Sequence, residues 1–137
     1  LIALTENGRK ASVEWTDTNL DVHHGGVVMV DGYLYGANWL NNNNGNWCCL
    51  DARTGEKMWE EKWHSKGSVI SAEGLLYIYD ERSGNVGLIR PSPEKFDLIS
   101  SFRIRAGSGP YWSHPVIHNG VLYLRHGEAL MAFNIQD

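Results

Sequence analysis

Residues 27–35 read VVMVDGYLY, and the reading of this stretch decides the fold. An apolar run leads into Asp31-Gly32, and a second apolar run ends on Tyr35. Asp before Gly suits a two-residue hairpin turn, because glycine takes positive φ with no Cβ to clash. Val, Leu and Tyr on either side favour strands. The same phrase returns as VISAEGLLY at 69–77 and VIHNGVLY at 116–123. The turn glycines Gly32, Gly74 and Gly120 are spaced 42 and 46 residues apart, and Tyr35, Tyr77 and Tyr123 keep the same intervals. Three hairpins of one design therefore recur along the chain.

A second pair of strands is expected after each hairpin. In the first copy these are NWCCLD and KMWEEKW, joined by ARTGE; in the second they are GNVGLIRP and FDLISSFRI, joined by SPEK. The third copy reaches EALMAFNI. At the N-terminus LIALTENGRKASVEW reads as strand, glycine turn, strand, the last half of a preceding unit. No segment shows a 3.6-residue apolar period. A four-stranded antiparallel unit repeated at this interval predicts an all-β fold of β-propeller blades, in an incomplete ring. The reason is edge and face management: one such sheet exposes both faces, and neighbouring blades cover them. The expected units are 1–19 as the end of one blade, 20–65 and 66–106 as blades, and 107–137 as a partial blade.

Composition is that of an ordinary globular chain: 137 residues, 42% hydrophobic and 20% charged. A net charge of −4, with no run of Lys or Arg, argues against a nucleic-acid partner. No apolar stretch approaches the roughly 20 residues needed to span a bilayer. The two cysteines, Cys48 and Cys49, are adjacent and cannot staple distant segments. On a strand they face opposite ways, and two semi-buried thiols are expected.

Residues 49–59, CLDARTGEKMW, resemble the tryptophan-docking repeat of the PQQ-like (quinoprotein dehydrogenase-like) propellers, whose pattern is A-x-D-x-x-T-G-x-x-x-W. Asp51, Thr54, Gly55 and Trp59 fall in place, with Cys49 at the small first position. Asp and Thr suit the capping of backbone N–H groups in a tight turn, and Trp suits burial against a neighbouring sheet. The resemblance implies that Trp59 lies on the peptide of the next blade's turn glycine. Residues 4–15 keep Gly8 and Trp15 with shifted spacing, and IRPSPEKFDLI replaces the glycine with Pro-Glu and the Trp with Phe96 or Leu98. Members of the family carry seven or eight blades, so about three blades imply either a segment of a longer propeller or association with a second copy through open edges. The family also implies a bacterial protein exported to the periplasm or beyond.

Two loops stand out as ligand or partner surfaces. NWLNNNNGNW, residues 38–47, sets Asn42 and Asn43 between Trp39 and Trp47, a combination suited to sugars. AGSGPYWSHP, residues 106–115, offers Tyr111, Trp112 and His114 to a channel mouth or inter-blade groove. The six histidines show no metal-ligand spacing, so no metal site is expected. The functional expectation is a non-catalytic binding or assembly scaffold with no cofactor of its own. Two alternatives are a segment of a PQQ- and Ca²⁺-dependent alcohol or sugar dehydrogenase, whose catalytic residues map onto nothing in this chain, and a carbohydrate-binding module.

Overall fold

The computed structural model describes residues 1–136. Strands β1 (Ile2–Thr5) and β2 (Lys10–Val13) form a hairpin. Strands β3 (Val27–Val30), β4 (Tyr33–Ala37), β5 (Trp47–Asp51) and β6 (Lys57–Glu61) form one four-stranded sheet. A second contains β7 (Gly67–Ala72), β8 (Leu75–Asp80), β9 (Asn85–Arg90) and β10 (Asp97–Arg103). A three-stranded sheet contains β11 (Val116–His118), β12 (Val121–His126) and β13 (Ala129–Asn134). Every sheet is an antiparallel meander in chain order. The fold is all-β and matches a partial propeller.

The repeated phrase folds the same way three times. Asp31-Gly32, Glu73-Gly74 and Asn119-Gly120 all have positive φ at both central residues, the mark of the tight hairpin turn that matches strand twist. Register repeats with it: Tyr35 pairs with Val28, Tyr77 with Ile70 and Tyr123 with Val116.

The middle blade shows why such sheets need neighbours. On β8, Leu76 and Ile78 pack with Tyr35, Ala37, Trp47 and Cys49 of the preceding blade. The alternate residues Tyr77 and Tyr79 pack with Leu122 and Leu124 of the following one. Side chains alternate across a strand, so burial of both sets means that both faces of the sheet are covered. By contrast β2 is exposed throughout, and Ile2 and Leu4 of β1 stand open to solvent.

Cys48 and Cys49 are free thiols and both fully buried, deeper than the sequence suggests. Burial, joined by the Glu60 carboxylate, pushes Cys48 up to about 12; burial also pushes Cys49 up to about 11.

Candidate functional site

In an antiparallel meander the first and third turns of a blade lie at one end, and the second turn and the crossover to the next blade lie at the other. The two ends do different things.

At the first end the blades are clamped by indoles. Asp51 Oδ1 accepts from Arg53 N at 2.8 Å and Thr54 N at 2.9 Å, and Thr54 Oγ1 accepts from Glu56 N at 3.2 Å. The bonds that Asp51 accepts, that from Thr54 N foremost, hold its carboxyl below the ordinary range. They shape a turn in which Gly55 sits at φ +76°, face to face with Trp15 of the preceding hairpin. A Cβ on Gly55 would lie 2.7 Å from Trp15 Cε3. Trp15 Nε1 donates to Ala52 O at 3.2 Å.

Trp59 repeats the move onto the following blade, donating Nε1 to Ser92 O at 2.7 Å with Phe96 edge-on at 5.8 Å. Its partner turn is Pro91-Ser92-Pro93-Glu94, so the peptide beneath it belongs to Ser92. The glycine implied for Trp59 is instead the one under Trp15.

At the other end, loops of all three blades converge on a cleft of about 470 Å³. The segment before β3 supplies His23 and His24. The β4–β5 loop supplies Asn42, the β8–β9 loop supplies Glu81 and Arg82, and the crossover before β11 supplies Pro110 and Trp112. A buried ion pair forms its floor. Lys66, 1% exposed, lies 2.9 Å from Glu81 Oε1 and also donates to Asn41 O at 2.9 Å and Asn42 O at 3.1 Å. All three ammonium protons have partners. The other Glu81 oxygen lies 3.3 Å from His23 Nδ1. The asparagine loop is therefore drawn in by its carbonyls: Asn43 O accepts from Ser65 Oγ at 3.2 Å and from Arg82 Nη1 at 3.3 Å. Its base is held by Glu60, whose Oε1 accepts from both Asn38 Nδ2 and Asn46 Nδ2 at 2.9 Å. Lys57 donates to the other Glu60 oxygen at 2.7 Å. That bond, with the two amides, holds Glu60 down to about 2.

The two loops singled out in the sequence thus meet, but not through all their residues. Asn42 and Trp112 line one cleft. His114 stands behind them, its Nε2 2.9 Å from His24 O. Trp39 is exposed beside the loop, its backbone N–H bonded to Asp21 O at 2.6 Å. Asn43 contributes its carbonyl to Arg82 and Ser65. Trp47 is core, 2% exposed, with Nε1 donating to Trp63 O at 3.1 Å, so its ring is closed to any ligand. Tyr111 is packed as well, stacked on His126 at 3.6 Å and edge-on to Tyr79 at 5.8 Å. Lys66, Glu81 and Arg82 are the residues that sequence reasoning missed. The structure gives the reason for their pairing: Lys66 abuts the buried start of β7, and Glu81 follows an unbroken buried run in β8. Charges in such places need counter-charges.

Calcium takes six to eight oxygen ligands. Among the described residues lining this cleft the carboxylate is that of Glu81, which is engaged by Lys66 and His23, so these residues do not fit the calcium of a quinone site. Among the described residues, no three His, Cys, Asp or Glu gather as a metal-holding group.

The sheets, their order and their indole clamps define a segment of a β-propeller with a loop-built cleft at one end. No protein-family model matches the chain, and no curated protein matches it. Among solved structures it is similar to BamB from Moraxella catarrhalis, with a TM-score of 0.51 and 16% identity, over 79% of this chain and 41% of that one. The likeness is one of fold, and this chain spans less than half of that protein. Among the described residues no helix is long and apolar enough to cross a membrane.

Proposed function

We propose that this chain is part of a PQQ-like propeller that serves as a non-catalytic binding and assembly scaffold, in the periplasm or outside the cell. Partners are engaged by the loop-bearing end. The observation that carries this reading is the division of labour between the two ends. One spends its tryptophans on holding blades together, whereas the other presents Trp112, 52% exposed, and Trp39, 40% exposed, from loops of different blades. Large aromatics and Arg anchor protein interfaces, and a rigid sheet scaffold presents them at low conformational cost. The likeness to BamB supports the propeller architecture on which the reading rests. The motif Asp51, Thr54, Gly55 and Trp59 supports the PQQ-like assignment.

The test places a photo-crosslinking residue at position 112 and, separately, at position 53 on the opposite end. A discrete protein adduct from 112 alone, lost when Trp39 is also changed to Ala, is the expected result. Equal adducts from both ends would overturn the assignment of the surface. Adding PQQ and Ca²⁺ should give no dye-linked oxidation of alcohols or sugars; turnover would replace the scaffold reading with the quinoprotein one.

A further inference from the structure

The cleft has a donor inventory that points to a particular chemistry. Lys66 and Glu81 cancel each other in charge; the three Lys66 protons go to Glu81 and two loop carbonyls, and each Glu81 oxygen has one partner, Lys66 or His23. What remains open is one guanidinium and two neutral groups. The Arg82 guanidinium has five N–H groups and spends one, through Nη1, on Asn43 O. The His24 imidazole packs against Trp112 at 4.9 Å and makes no hydrogen bond of its own among the described residues. The Asn42 side-chain amide is likewise unengaged, its carbonyl oxygen on the main chain having gone to Lys66. Among the described residues, Arg82 is therefore the cation lining the cleft that has no carboxylate partner, in a chain whose net charge is −4. Beside it stands a flat apolar wall, Trp112 with Pro110.

We infer that the cleft binds a carboxylated sugar, a uronic acid unit of an acidic glycan. Each part of such a ligand has a counterpart. A carboxylate matches the planar fork of one arginine, which holds two oxygens side by side. The apolar face of a pyranose ring matches an exposed indole. Ring hydroxyls match an amide and an imidazole, each able to donate and accept. The volume of about 470 Å³ lies within the ordinary range of small-ligand sites and bounds the occupant to a short oligosaccharide end. An acidic peptide fits less well. Extended peptides gain affinity by pairing with a strand edge, and every residue of this cleft lies in a loop. The scaffold reading also uses Trp112, so the two are told apart by experiment: the sugar site is read on the chain alone, with no protein partner present, and the scaffold by its protein adduct.

The experiment titrates the whole chain, with no partner present, with galacturonic acid trimer and with its methyl ester. The ester keeps the rings and removes the charge. Tryptophan fluorescence and calorimetry read the binding. The acid is expected to bind at least tenfold more tightly than the ester. Arg82→Gln should erase that preference, and Trp112→Ala should lower affinity at least tenfold and abolish the fluorescence change. Both side chains are exposed, so both variants should melt within a few degrees of the parent, which separates lost binding from lost folding. Equal binding of acid and ester, no binding of either, or full affinity in the Arg82→Gln variant would overturn the site. So would displacement of the trimer by an equimolar oligoglutamate peptide, which would assign the cleft to acidic proteins instead.

Discussion

The end of the blades that carries Trp15 and Trp59 uses one device twice, whereas the end that carries Trp112 uses a different set of residues in each blade. At the first, an indole N–H reaches a carbonyl in the next blade's turn, Ala52 in one case and Ser92 in the other. At the second, an asparagine loop, an Asp80-Glu81-Arg82 corner and a Gly-Pro-Tyr-Trp crossover share no pattern. Repetition marks what every blade needs in order to pack. Its absence marks where a single surface was shaped.

Breaking the floor of the cleft should have the largest effect. Lys66→Ala leaves Glu81 buried without its cation, and removal of one partner of such a pair costs about 3–5 kcal/mol. Chemical denaturation should show this as a lowered midpoint. The double change Lys66→Met with Glu81→Leu should recover most of the loss, because the pair's own desolvation cost goes with it. If the single and double variants were equally unstable, the pair would not act as a unit.

The clamps should come next, and unequally. Trp59 is half-buried between two blades with a shared core, so Trp59→Ala should cost about 2–4 kcal/mol, a little under the range for fully buried aromatics. Trp15 holds only an exposed hairpin. Trp15→Ala should chiefly release residues 1–15, seen as loss of amide protection there with little change in the global midpoint. Global unfolding from Trp15→Ala would show that the hairpin is integral to the core.

The smallest effect concerns acid. Glu60 is held down to about 2 from an ordinary 4.5, first by Lys57 and then by Asn46 and Asn38. A depressed carboxyl contributes stability that is fully present above its unfolded pKa and is lost as pH falls through the folded one. The window is therefore about pH 4.5 down to about 2. Lys57 is more than a third exposed, so solvent screening trims the contribution to about 1–2 kcal/mol. Glu60→Gln should flatten the stability profile across that window and leave the clamp end untouched. An unchanged acid slope in Glu60→Gln would place the loop's acid sensitivity elsewhere.

The fold was legible because each hairpin states its turn locally. Asp31-Gly32, Glu73-Gly74 and Asn119-Gly120 demand a backbone conformation that few other residues tolerate, and their spacing does the rest. The clamp motif was legible for the same reason, except where the second turn exchanges glycine for Pro91-Ser92-Pro93 and Trp59 settles on a serine peptide. The cleft was only partly legible. Asn42 and Trp112 stood out by composition, but Trp47 did too, and its place on β5 puts it in the core. Lys66 and Glu81 are common residues that flank one hairpin, and their meaning arises where His23 and the asparagine loop of the preceding blade meet them. Arg82 owes its role to that corner and to a carbonyl 39 residues away. No local pattern records such meetings.

The adjacent thiols have a practical corollary. Sealed between sheets, and with acidity suppressed by the same enclosure, Cys48 and Cys49 are poor nucleophiles while the blades stay closed. Cys49 lies in the core shared with the second blade, so an alkylating reagent reaches it on a transient parting of the first blade from the second, whereas Cys48 faces the other side of the sheet. The rate of Cys49 modification is thus a native clock for blade separation, and it needs no introduced label.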